Sequence, residues 1–153
     1  MAALGAPGAA RHAKPFANSQ HSFIMITKRL LQAAIAYFLV GIALGMYMGI
    51  AQDFRLRHVH VHFNLLGWVP LALMGLMYQA FPAFSRGWIP RAHFWLHNAG
   101  LLTFMGGFAA SVLTDNKYVA PIAGGATLVS VAVALWAWHV LTCLKNKTSF
   151  ASD

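Results

Sequence analysis

The chain has 153 residues, of which 59% are hydrophobic and only 9% are charged, and it contains no glutamate. A soluble domain usually carries about a quarter charged residues, so this composition excludes an ordinary soluble protein and predicts an integral membrane protein. The formal net charge of +8 does not call for nucleic acid as a partner, because basic residues that flank membrane spans bind anionic lipid headgroups.

Taken in chain order, the segments predict four membrane helices between two short tails. Residues 1–26 are rich in alanine and glycine without an apolar period, which predicts a mobile N-terminal tail. Residues 27–147 hold four apolar runs, at about 30–50, 62–81, 94–113 and 119–144, each long enough to cross a bilayer as a helix. The first run lacks a small-residue cleavage site, so we expect no cleaved signal peptide. Residues 148–153 are a C-terminal tail, and the predicted fold is an all-α four-helix transmembrane bundle.

The basic residues are distributed unevenly between the two sides of the predicted spans. One side carries Arg11, Lys14, Lys28, Arg29, Arg86, Arg91, Lys145 and Lys147. The loops of the other side carry Arg55, Arg57 and Lys117, which Asp53 and Asp115 partly offset. The positive-inside rule then predicts a multi-pass protein of a bacterial inner membrane with both termini in the cytoplasm.

The stretch RLRHVHVHFNLLGW places three histidines at alternate positions where a polar loop becomes the second span. Residues four apart share a helix face, so His58 and His62 lie on one face and His60 lies roughly 160° away. The trio must therefore serve two faces. An ionisable ring inside a span is a functional candidate, and imidazole is a common haem and metal ligand. His62 is the main candidate, with Asn64 and Trp68 as polar and aromatic lining near it.

Histidines also lie near the cytoplasmic ends of the third and fourth spans. His97 and His139 are expected at similar depth, where they form a second site, either for another haem or as a hydrogen-bonded pair. The structural alternative is that each ring bonds a backbone carbonyl or Asn98. His58 and His93, which are flanked by Arg57 and Arg91, are expected at the interface with lipid headgroups or water.

The segment RLRHVHVHFNLLGWVPLALMGLMYQAFP resembles the second transmembrane helix of haem-copper oxidase subunit I and of the related nitric oxide reductases. In those proteins a histidine near the outer end of this helix, followed by a run like NLLGW, a glycine and a late proline, binds the low-spin haem. His62 falls on that histidine. HFWLHNAGLLTFMGGF and ALWAWHVLTCLK are similar to a helix start and a helix end of the same family, and the resemblance covers most of residues 27–147.

The chain also departs from that family. Subunit I has twelve spans in three arcs of four, whereas this chain has one arc, without the histidine, glutamate and tyrosine helix of the copper site. We therefore do not expect it to reduce oxygen or nitric oxide alone. Three chains around a threefold axis would rebuild the twelve-helix outline of subunit I, and closed symmetry is usual in homo-oligomers.

The family's tenth helix carries two histidines spaced by one residue, which ligate two different haems. His60 and His62 have the same spacing. The resemblance thus implies a homotrimer with one haem b between neighbouring chains, held by His62 of one chain and His60 of the next. Such a protein would transfer electrons between quinol or a periplasmic carrier and a partner.

Two alternatives stay open at this stage. In the first, His58, His60 and His62 collect copper at the periplasmic mouth, near Met46 and Met48, and the protein is a copper-handling or oxidase-assembly factor. In the second, the chain is a cofactor-free membrane interaction module whose histidines only bond backbone carbonyls. An absorption spectrum separates them, because only a haem gives a Soret band.

Overall fold

Four long helices make up the part of the chain that the structure describes. The computed structural model describes the backbone of residues 13–148 and the side chains of residues 24–145. The helices are α1 (Ala13–Ala51), α2 (Arg57–Ala80), α3 (Ile89–Thr114) and α4 (Val119–Thr148), with a short 3₁₀ helix, Pro82–Ser85, between α2 and α3. Each long helix contains a stretch long and apolar enough to cross a membrane. This confirms the prediction of an all-α fold with four helices that are long and apolar enough to span a membrane.

Helix α1 begins earlier than the first apolar run. It starts at Ala13, inside the segment 1–26 that the sequence assigns to a tail. Pro15 lies in its first turn, where a missing N–H costs nothing because that N–H has no intrahelical partner. Once a span has formed, adding residues to its end is much easier than starting a new helix. Residues 1–12 and 149–153 of the two predicted tails lie outside the described residues.

The helices pack as two antiparallel pairs, α1 with α2 and α3 with α4. In the second pair the backbones themselves meet, because glycines stand at the crossing. A Cβ built on Gly125 would overlap Phe104 N and lie 2.7 Å from Gly100 O, and a Cβ on Gly100 would lie 2.8 Å from Val129 N. Small residues allow this approach, which is how membrane helices gain close packing without a hydrophobic driving force between them.

An interruption of the α-helical hydrogen bonding within α2 provides a contact between the two helix pairs. Residues Phe63–Trp68 form a π-helical turn, which is closed by the Val69 N–H bonding Asn64 O. Pro70 follows and has no N–H to offer the Leu66 carbonyl one turn earlier. His97 of α3 donates to that carbonyl instead, with Nε2 2.7 Å from Leu66 O. The proline thus creates the acceptor by which α3 is attached to α2.

A second polar bond crosses between the pairs at nearly the same level. The Tyr37 hydroxyl of α1 donates to Asn98 Oδ1 of α3 over 2.8 Å. The Asn98 amide in turn donates to Phe94 O within α3. Both groups are shielded from water, so the bond fixes the lateral position of α1 relative to α3.

The bundle has two chemically different ends. The aspartate end consists of the α1–α2 and α3–α4 loops, which contain Asp53 and Asp115, and the basic end contains Lys28, Arg29, Arg86, Arg91 and Lys145. Between them, only 17% to 28% of the residues in each spanning stretch are buried within the chain. The helices therefore present most of their apolar surface to lipid or to other protein.

Candidate histidine sites

The three histidines of α2 point to two opposite walls of the helix, as their spacing predicts. On the α3 side, the His62 ring lies 5.3 Å from the Phe104 ring and the His58 ring lies 5.5 Å from the Phe108 ring, measured between centroids. His60 faces α1 instead. No single small ligand can therefore contact all three rings of one chain.

Two glycines of α1 form a cradle for the His60 wall. His60 Nδ1 lies 2.7 Å from Gly41 O, and a Cβ built on Gly45 would come within 3.1 Å of His60 Cε1. A carbonyl oxygen can only accept, so Nδ1 carries the proton and Nε2 keeps its lone pair in the neutral ring. Within the described residues Nε2 makes no hydrogen bond, yet it is not one of the buried unpartnered atoms. It therefore reaches the surface of the chain.

His62 is held in the same tautomer by its own helix. Its Nδ1 lies 2.7 Å from His58 O, one turn earlier, and the same reasoning leaves Nε2 with a free lone pair. The side chain is only partly buried, and its Nε2 is likewise absent from the buried unpartnered atoms of the described residues. Histidines that bind a metal almost always donate their other ring N–H to a carbonyl, carboxylate or water, which fixes the ring and raises its basicity. His60 and His62 both have this arrangement.

Asn64 and Trp68 lie on a different wall from the one expected. The Asn64 amide donates to His60 O over 2.9 Å, and the Trp68 ring stacks on Phe38 of α1 with centroids 4.6 Å apart. Both therefore line the α1-facing wall with His60 and do not lie beside His62. Asn64 also lies against α1, since a Cβ built on Gly41 would lie 2.6 Å from Asn64 Nδ2. Spacings of four and eight residues from His60 already place both residues on the His60 wall, and the structure adds that this wall faces α1.

The second predicted pair, His97 and His139, is not joined by a hydrogen bond. His97 Nε2 bonds Leu66 O, and His139 Nε2 lies 2.9 Å from Phe84 O in the 3₁₀ helix. Each ring thus uses the nitrogen farthest from its own backbone to satisfy a carbonyl outside regular α-helical bonding. This geometry supports the structural alternative for the pair.

His93 was expected at a lipid interface, and this expectation is wrong. Its side chain is 0% exposed, with its ring centroid 5.4 Å from that of His97 and 6.5 Å from that of Trp136. Neither of its ring nitrogens has a hydrogen-bond partner among the described residues. The neighbouring Arg91 suggested exposure, but α4 covers this face of α3. The spacing of four residues between the two histidines was the signal for a shared, buried face.

The described residues contain no group of three or more histidine, cysteine, aspartate or glutamate side chains able to hold a metal ion. At the aspartate end, Asp53 is occupied by a bidentate pair with Arg55, whose Nη2 lies 2.7 Å from Asp53 Oδ2. Hydrogen bonds from Arg55 hold the pKa of this exposed carboxyl below its ordinary value. The carboxylate therefore neutralises a cation and is not directed at the histidines.

Comparisons with protein-family models, with curated proteins and with solved structures find no match for this chain.

Proposed function

We propose that the chain is a haem b-binding membrane protein that transfers electrons, and that His62 of one chain and His60 of a neighbouring chain hold each haem. One observation carries the proposal. Both rings donate Nδ1–H to a carbonyl, Gly41 O for His60 and His58 O for His62, and both keep an unpartnered, accessible Nε2. A histidine that ligates haem iron needs this arrangement, in which a carbonyl holds one ring nitrogen and the other keeps a free lone pair.

The opposite directions of the two rings support sharing between chains. Two imidazoles that bind one iron axially approach it from opposite sides. Within one chain His60 and His62 diverge, and α3 presents Phe104 to His62, so the second imidazole has to come from another copy. A closed homotrimer supplies each His62 with one His60, and the large exposed apolar surface of the helices provides the contact area.

A bound haem would supply one-electron redox chemistry. His60 and His62 would hold the haem iron between them and leave it no open position for substrate, which favours electron transfer over catalysis. The Gly41 carbonyl and the His58 carbonyl orient the imidazoles and increase their basicity. With both termini in the cytoplasm the site lies near the periplasmic face, where quinol or a periplasmic carrier can exchange electrons with it.

The absorption spectrum of the purified protein tests the proposal. We expect a Soret band with reduced low-spin features in the native chain, and their loss or conversion to a high-spin spectrum in both His60→Ala and His62→Ala. His58→Ala is the matched control on the same helix, and we expect it to keep the low-spin spectrum because its ring is exposed. A native protein without a Soret band would refute the haem proposal.

Mixed assemblies test the sharing between chains. A His60→Ala chain assembled with a His62→Ala chain brings two intact histidines together at some interfaces, so part of the low-spin spectrum should return. If mixing restores nothing, or if a monomer retains haem with two histidine ligands, the inter-chain arrangement is wrong. Copper bound in the absence of haem, and lost in His58→Ala or His62→Ala, would favour a copper-handling role for these two histidines, which share one wall of α2.

A further inference from the structure

A second group of histidines lies inside the bundle, away from the walls of α2. His93 Nδ1 and Nε2 and His97 Nδ1 are buried and have no hydrogen-bond partner among the described residues. The side chains of His93 and His97 are each 0% exposed. Buried polar atoms are nearly always paired, because leaving water without a new partner is costly. Three unpartnered imidazole nitrogens on one buried face of α3 therefore indicate a ligand bound there.

The two imidazoles have the geometry of a chelating pair. His93 and His97 are four residues apart on α3, so they share one face, and their ring centroids are 5.4 Å apart with the planes inclined at 61°. Two imidazoles that bind one metal at about 2.0 Å have centroids roughly 5 Å apart at a tetrahedral angle and roughly 6 Å apart in the near-linear arrangement of a two-coordinate ion. The observed separation falls in this range.

The tautomer of His97 also suits metal binding. Its Nε2 donates to Leu66 O, so the ring proton is on Nε2 and the buried Nδ1 holds a lone pair. A metal-binding histidine is usually oriented in this way by a carbonyl. Here the carbonyl is free to accept because Pro70 supplies no N–H to it.

We propose that His93 and His97 form a buried binding site for a monovalent copper ion. The choice of ion follows from charge. In the described part of the chain the carboxylates are Asp53 and Asp115, both in loops at the aspartate end, so none can neutralise a cation beside these neutral imidazoles. The cost of burying an ion rises with the square of its charge, which disfavours Zn²⁺ and other divalent ions. Imidazole suits copper.

This site is independent of the proposed haem, since it lies on α3 and uses neither His60 nor His62. Anaerobic titration of the full-length protein with Cu(I), against the chelator bicinchoninate, measures it directly. We expect one Cu(I) per chain in the native protein. Affinity should fall by more than about 100-fold in His93→Leu, since the loss of a supporting partner alone costs about 10- to 100-fold. The matched control is His139→Leu, which removes another buried histidine and should retain the ion.

The His93→Leu variant also separates metal binding from folding. Because the His93 ring makes no hydrogen bond within the described residues, its replacement should leave the melting temperature of the copper-free protein unchanged or raise it. Copper should raise the melting temperature of the native chain but not that of the variant. The Soret band, if present, should be the same in both, so failure of the haem proposal is seen separately.

Three results would overturn the copper site. The native chain could bind no Cu(I), the His93→Leu variant could bind it as tightly as the native chain, or the same histidines could bind Zn(II) more tightly than Cu(I). The last outcome would refute the charge argument. X-ray absorption of the copper-loaded protein should show nitrogen ligands and no sulfur, and a sulfur ligand would place the ion elsewhere.

Discussion

Replacement of Gly125 by alanine should separate α3 from α4, whereas the same change at the adjacent Gly124 should not. A Cβ on Gly125 would overlap Phe104 N and lie 2.7 Å from both Phe104 Cα and Gly100 O, while a Cβ on Gly124 meets nothing within 4 Å. Carbon atoms pack best at about 3.5–4.0 Å, so the backbones would have to move apart by roughly 0.8 Å or more. Backbone atoms cannot rotate aside as a side-chain end can.

The expected magnitudes follow from overpacking and helix propensity. Overpacking costs about 1–3 kcal/mol and occasionally more, and alanine regains at most about 1 kcal/mol over glycine in a helix. Because the clash is with backbone atoms, the overpacking cost of Gly125→Ala lies near the upper end of its range, and after the gain in helix propensity we expect the free energy of unfolding to fall by about 2 kcal/mol. We expect Gly124→Ala to leave it unchanged or raise it by up to about 1 kcal/mol. Reversible unfolding of the two variants in mixed detergent micelles, followed by circular dichroism, measures the difference. Equal stabilities would show that the two helix backbones are not in contact at this crossing.

Three further predictions use matched variants or a titration. Gly45→Ala should displace the His60 imidazole by a few tenths of an ångström and alter the low-spin spectrum. The control Gly49→Ala, whose Cβ would meet nothing within 4 Å, should leave the spectrum unchanged. Identical spectra for the two variants would contradict the contact between Gly45 and His60. Tyr37→Phe removes the hydrogen-bond donor of Asn98 Oδ1 and should lower the free energy of unfolding by about 0.6–1.5 kcal/mol. Tyr47→Phe, at an exposed position of the same helix, should cause no measurable change in the same unfolding assay. The Asp53 carboxyl should titrate below the ordinary aspartate pKa by NMR, because its arginine partner stabilises the ionised form. That local stabilisation is present above the ordinary pKa and is lost as pH falls through the lowered one, so an unshifted titration would exclude the pair.

The histidines show how far a pattern alone can locate a site. The alternation of His58, His60 and His62 was enough to predict two walls, because the angle between residues on a helix depends only on their spacing. The same spacing linked His93 to His97, yet the charge of a neighbouring residue suggested that His93 was exposed. Whether a ring is buried depends on which helix covers it, and an adjacent charge does not determine that.

Membrane class, the number of spans and the two walls of α2 were determined by the sequence by itself, because apolar length and helical period are local properties of a chain. Only the tertiary structure decided that His60 lies in a glycine cradle on α1, that His97 takes the carbonyl left free by Pro70, and that α4 buries His93. Lipid is as apolar as the helices, so hydropathy does not determine which faces pair. Close fit at glycines and the satisfaction of each buried polar group make that choice.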